Sequence, residues 1–131
     1  MSMASELRMR AIVQREFGTT SVLRIEDVPV PQPLPTEILV RARAIGLNPL
    51  EAVVGSGLYP MLGAPPFILG WDVSGVVERV VPGVQRFREG DEVFGMPLFP
   101  RPAGAYAELV AGPSRQFARK PLALDHVHAA T

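Results

Sequence analysis

The chain has 131 residues, enough for one domain with a single core. Its 13 basic and 13 acidic side chains cancel and its apolar fraction is 47%, so the composition is that of an ordinary globular protein and nothing points to nucleic acid, which selects a basic stripe or patch. With no cysteine, disulfides and every thiolate-bound zinc or iron–sulfur centre are excluded.

Residues 1–8 are read as a disordered tail. Glu6, Arg8 and Arg10 interrupt any apolar run there, so no secretory signal is expected and the cytoplasm is the default. Residues 10–15 and 22–28 are β-branched runs separated by turn residues, as in two antiparallel strands. Pro29, Pro31, Pro33 and Pro35 then fix an extended connector. Residues 37–44 read as a half-buried strand, with Leu39, Arg41 and Arg43 on a solvated face and Ile38, Val40, Ala42 and Ala44 on the other.

Asn48-Pro49-Leu50-Glu51 is a helix start, with Asn48 as cap, Pro49 at the first helical position and Glu51 at the third. The uncharged stretch 52–71 has the length of a membrane span. Its glycines and its prolines Pro60, Pro65 and Pro66 would leave backbone groups that a bilayer cannot satisfy, so no membrane span is expected. Residues 71–81 resume strand character, Val81-Pro82-Gly83-Val84 reads as a type II turn, Arg88-Glu89-Gly90-Asp91 as a second turn, and 92–96 and 105–110 as further strands. Short strands punctuated by glycine and proline describe a small, mainly β barrel with one or two short helices. Residues 123–131 open like a helix capped by Asp125.

Few residues carry chemistry. His126 and His128 fall on different sides of a helix, so they do not chelate a metal, and a solvated or interdomain role is left for them. No histidine precedes residue 126, which argues against a serine triad. Asp91-Glu92 and Glu26-Asp27 point to opposite faces of a strand and read as solvated charges. Gly55-Ser56-Gly57 begins like a dinucleotide fingerprint, but the third glycine is Pro60 and a helix precedes it instead of a strand. The long loop remains, with Asn48 at its entrance, Tyr59 in its middle and Trp71-Asp72 at its exit. Asn48 and Tyr59 suit an apolar carbonyl or quinone-like ring. Equally, Asn48 only caps its helix and Tyr59 only packs.

Several segments in order carry a resemblance. Val28-Pro29-Val30-Pro31 with Glu37-Ile38-Leu39-Val40-Arg41, Gly46-Leu47-Asn48-Pro49-Leu50-Glu51, residues 66–77, and Gly90-Asp91-Glu92-Val93-Phe94-Gly95 with Gly104-Ala105-Tyr106-Ala107-Glu108 are similar to the medium-chain dehydrogenase/reductase superfamily, quinone oxidoreductase-like branch. The resemblance implies a GroES-like, partly open β-barrel over 9–122 as the catalytic domain, with 123–131 leading to a Rossmann domain that holds NADPH and is absent here. It implies that the complete enzyme reduces quinones or α,β-unsaturated carbonyls, with Asn48 and Tyr59 as catalytic residues and Trp71 and Asp72 at the substrate. Zinc is not expected, because Asn48 and Trp71 stand where zinc-dependent relatives carry a cysteine and a histidine. Val53 and Gly55 replace a tyrosine and an arginine common in the branch. The chain is read as a fragment, a truncated gene product or half of a split enzyme, a separate nucleotide-binding chain being the partner in the last case; it is expected to bind no cofactor tightly by itself and to form a homo-oligomer. The alternative is a non-catalytic small-molecule or protein binding module on the same barrel; co-chaperonin function rests on fold analogy alone.

Overall fold

Alternation of buried Met9, Ala11 and Val13 with more exposed neighbours builds β1 (Arg8–Gln14), which pairs antiparallel with β2 (Leu23–Pro29), Ile12 opposite Ile25. The computed structural model describes residues 7–131. Of the tail expected over 1–8, residues 1–6 lie outside the described residues and Arg8 opens β1. A short 3-10 turn, Thr20–Val22, closes the hairpin.

The second sheet holds β3 (Glu37–Ile45), β4 (Val73–Val80), β5 (Glu92–Gly95), β6 (Leu109–Pro113) and β7 (Phe117–Arg119), in the order β6-β3-β4-β5-β7 with antiparallel neighbours throughout. It curls into a half-barrel, which confirms the mainly β, GroES-like expectation with two short helices. Ile38, Val40, Val73, Val77, Phe87, Val93, Val110 and Phe117 fill its concave core, each large side chain worth roughly 1.5–3 kcal/mol of burial. The turns hold as read: Gly83 and Gly90 sit at φ 100° and 94°, with Val84 donating to Val81 and Asp91 to Arg88.

Two expectations need correction, and one strand was not foreseen. Leu39 does not share the solvated face of Arg41; it is buried with Met9, Val30 and Leu109 in a second cluster. The physical reason is a second layer: β1 and the segment after β2 lie across that part of the sheet and exclude water from it. The strand expected at 105–110 begins only at Leu109, because Ala105 and Tyr106 donate instead to Gly70 and Leu69. β7 was too short to carry a sequence pattern; it is fixed by pairing with β5.

Helix α1 (Pro49–Ser56) stops at Gly57, which takes the left-handed φ of 88° and donates to Val54. Helix α2 (His126–Ala129) starts at Asp125, whose carboxylate accepts from the His128 amide at 2.8 Å. No helix among the described residues is long and apolar enough to cross a membrane.

Candidate functional site

The Asn48 cap places two carboxylates and a phenol around one turn. The Glu51 side chain, 2% exposed, turns back and accepts from the Asn48 backbone N–H at 3.2 Å and from Asn48 Nδ2 at 3.3 Å. Asn48 Nδ2 also donates to Asp72 Oδ2 at 2.8 Å. Tyr106 reaches Glu51 from the far side of the fold, its hydroxyl donating to Oε1 in a short bond. Burial first, and the bond to the Glu51 carboxylate second, push the Tyr106 phenol far above its ordinary value. The phenol therefore stays protonated and keeps donating.

The backbone makes room for this arrangement. Gly70 sits at φ 103°, and a Cβ there would come 2.5 Å from Tyr106 Cδ1. Tyr106 is held between Leu69 on one side and Ile12 on the other by backbone hydrogen bonds of 2.9 Å. The buried amide of Gln14 spans the gap beneath, donating to Gly55 at 2.6 Å and Glu16 at 3.0 Å. Asn48, Glu51, Tyr106, Gln14, Thr19 and Leu69 surround a cleft of about 240 Å³.

The structure brings Asn48 and Asp72 together but separates the other two sequence-predicted residues from them. Tyr59 is 55% exposed and does not line the cleft. Trp71 is buried, its indole donating to the Arg101 carbonyl at 2.7 Å with Phe99 edge-on at 5.3 Å. Among the described residues no three His, Cys, Asp or Glu side chains gather as a metal set would.

Residues 34–122 match the family model of the alcohol dehydrogenase GroES-like domain. The chain belongs to this family. It is 39% identical to rat quinone oxidoreductase over 89% of this chain and 35% of that one, and 33% identical to the chloroplastic NADPH-dependent alkenal/one oxidoreductase of Arabidopsis thaliana over 93% of this chain and 33% of that one. The solved quinone oxidoreductase of Coxiella burnetii superposes with a TM-score of 0.89 at 31% identity, covering 95% of this chain and 40% of that one. The GroES-like domain thus spans about a third of the length of the curated relatives it matches.

Three positions of this GroES-like domain were missed by sequence reasoning. Glu51 was read only as a helix-start residue, and nothing local marks its meeting with Tyr106, 55 positions away. Tyr106 appeared only inside a motif. His126, left with a solvated or interdomain role, bonds through Nδ1 to Ser74 Oγ at 2.6 Å and through Nε2 to Glu92 Oε1 at 2.8 Å. Those three residues imitate a hydrolytic triad, yet Ser74 is 0% exposed and no substrate reaches it. Their role is to fasten α2 to β4 and β5.

Proposed function

We propose that this chain supplies the substrate side of an NADPH-dependent reductase of quinones or α,β-unsaturated carbonyls, working without zinc. The observation that carries the reading is the Asn48–Glu51–Tyr106 chain of hydrogen bonds at the wall of the cleft, which Asp72 joins at Asn48 from outside the lining. A carbonyl oxygen entering there meets the Asn48 amide, which it wins by displacing Asp72, the partner on the exposed side. Asn48 is then the orienting group, held by the buried Glu51, and Asp72 the residue that yields; preorganised donors of this kind stabilise charge developing on an oxygen. Tyr59 and Trp71 have supporting parts in this reading, Tyr59 on the exposed loop and Trp71 as the buried pin that sets where Asp72 starts.

Zinc-independence is supported by the donor set: an amide committed to two carboxylates and a buried indole are not zinc ligands. NADPH, which supplies hydride when bound, does not fit the residues present. Gly55-Ser56-Gly57 forms the carbonyl-bearing C-terminal end of α1, the wrong pole for a pyrophosphate. The dinucleotide site therefore belongs to a nucleotide-binding unit in addition to these residues, and the chain alone does not turn over. A cytoplasmic setting and a homo-oligomer, favoured by exposed Leu47, Leu58 and Tyr59, complete the reading.

A second reading, a non-catalytic binding module, is favoured by one observation: both hydrogens of the Asn48 amide already have acceptors. The test is calorimetric titration of the purified chain with NADPH, with quinone-dependent NADPH oxidation followed in parallel, alone and with a nucleotide-binding unit from a relative. Turnover only in the mixture supports the reductase reading; micromolar NADPH binding and turnover by the chain alone overturn the need for a second unit. No turnover in either, with quinone still bound at the cleft, leaves the binding module.

A further inference from the structure

The 240 Å³ cleft is small for a complete ligand site, which usually occupies about 300–1,000 Å³. Beside it lies a larger groove of about 490 Å³. Leu47 and Tyr106 line both spaces, so the two share a wall. Both linings are mainly apolar. What sets the cleft apart is the hydrogen-bonded array of Asn48, Glu51 and Tyr106 on its wall, whereas the groove runs between Ile12 and Ile25 of the β1–β2 pair and Ala44 and Ile45 of β3. Its charged members are Arg10 and Glu108, which pair with each other at 3.4 Å, and Arg43, which is exposed.

We propose that the two spaces receive the two ends of one substrate, a quinone or enone head in the cleft and an unbranched aliphatic tail in the groove. The tail crosses over Leu47, which is 77% exposed and has the freedom to swing, while the fixed Tyr106 ring holds the head apart from the tail. The inference rests on the cleft being the carbonyl end, as proposed above. It names the substrate class as amphipathic carbonyl compounds with a tail of several methylenes, in preference to bare rings.

The absence of cysteine allows quinone probes to be used without addition to a thiol. The experiment measures Kd for 1,4-benzoquinones carrying methyl, butyl, hexyl and octyl chains against the 131-residue chain, with amide shift mapping by NMR. Kd is expected to fall by about twofold to fourfold per methylene, fourfold being the limit for full burial. Shifts are expected at Asn48 and Glu51 from every probe and at Ile12, Ile25 and Ala44 only from the long ones. Ile25→Asp, at a position 72% exposed where the loss of strand propensity and of the pair with Ile12 costs only about 1 kcal/mol, is expected to flatten the chain-length series and leave the methyl probe unchanged. A series that is flat in the wild-type chain, with cleft shifts intact, overturns the tail site and spares the carbonyl end. Groove shifts without cleft shifts sink both. Groove shifts that appear on raising protein concentration without any quinone overturn the tail site too, and assign the groove to a second copy of the chain.

Discussion

Glu51 and Tyr106, 55 residues apart in sequence, meet through a single short hydrogen bond that joins α1 to the segment entering β6. The carboxylate is almost wholly buried, and its other donors both come from Asn48.

Removing the phenol tests how much that bond contributes. Tyr106→Phe leaves the ring in place against Gly70 but strips Glu51 of its donor from outside the helix. A hydrogen bond to a buried charged group is worth about 1.5–3 kcal/mol, so a destabilisation of that size in urea unfolding is expected. A change under about 0.5 kcal/mol would show that water replaces the phenol, at odds with the buried geometry.

The same phenol predicts an alkaline limit. Its folded-state value is raised, so its contribution is fully present below the ordinary phenol value near pH 10 and is lost as pH rises beyond it. The chain has two tyrosines. In Tyr59→Phe, where Tyr106 is the remaining phenol, absorbance at 295 nm should rise only together with the loss of far-ultraviolet ellipticity. Ionisation near pH 10 in a still-folded chain would contradict the buried pairing.

At the acid end the sign is opposite. The Arg88 amide, and then Arg119, hold the Asp91 carboxyl below its usual range against a partial opposing effect of burial; Arg41 does the same to Glu78. These groups contribute stability above the unfolded carboxylate range and lose it as pH falls through their lowered values. The urea midpoint should therefore be flat near neutrality and fall below about pH 4.5. Asp91→Asn and Glu78→Gln should each reduce that slope, and high salt should weaken the Glu78 effect because its pair with Arg41 is exposed.

Gly46 supports α2 from below. A Cβ there would lie 2.1 Å from the Ala130 carbonyl oxygen and 2.8 Å from Asp72 Cβ. Gly46→Ala should push α2 outward at a cost of about 1–3 kcal/mol, seen as lost hydrogen-exchange protection at Ala129 and Ala130. His126→Ala removes the other attachment, to Ser74 and Glu92, and should expose the same amides while the core strands stay protected. Because both act on one helix, the double variant should cost less than the sum; strict additivity would show that the two contacts hold separate pieces of chain.

How much of this was legible beforehand follows from the range of each interaction. Turns and caps are written locally, and Gly83, Gly90, Asn48-Pro49 and Asp125 all stand where their chemistry requires. The strand pattern was legible where one face is wet. It misled at Leu39, since a strand alternating beside arginines carries no mark of a second layer lying across it. The site was half legible for the same reason. Asn48 and Asp72 border one loop and could be named from it, whereas Tyr106 and His126 depend on pairings over 55 and 52 positions that no period encodes.

The β1–β2 pair shares no ladder with the larger sheet: β1 bridges Ala107 and Phe67, which lie outside the strands, and the cluster of Met9, Val30, Leu39 and Leu109 seals the joint. Groups on that joint, Gln14 and Tyr106 among them, also border the cleft. One wall of the cleft is therefore placed by the seating of the hairpin: a change that slides β1 carries the Gln14 amide with it and, through the Ile12–Tyr106 backbone hydrogen bond, the Tyr106 phenol as well.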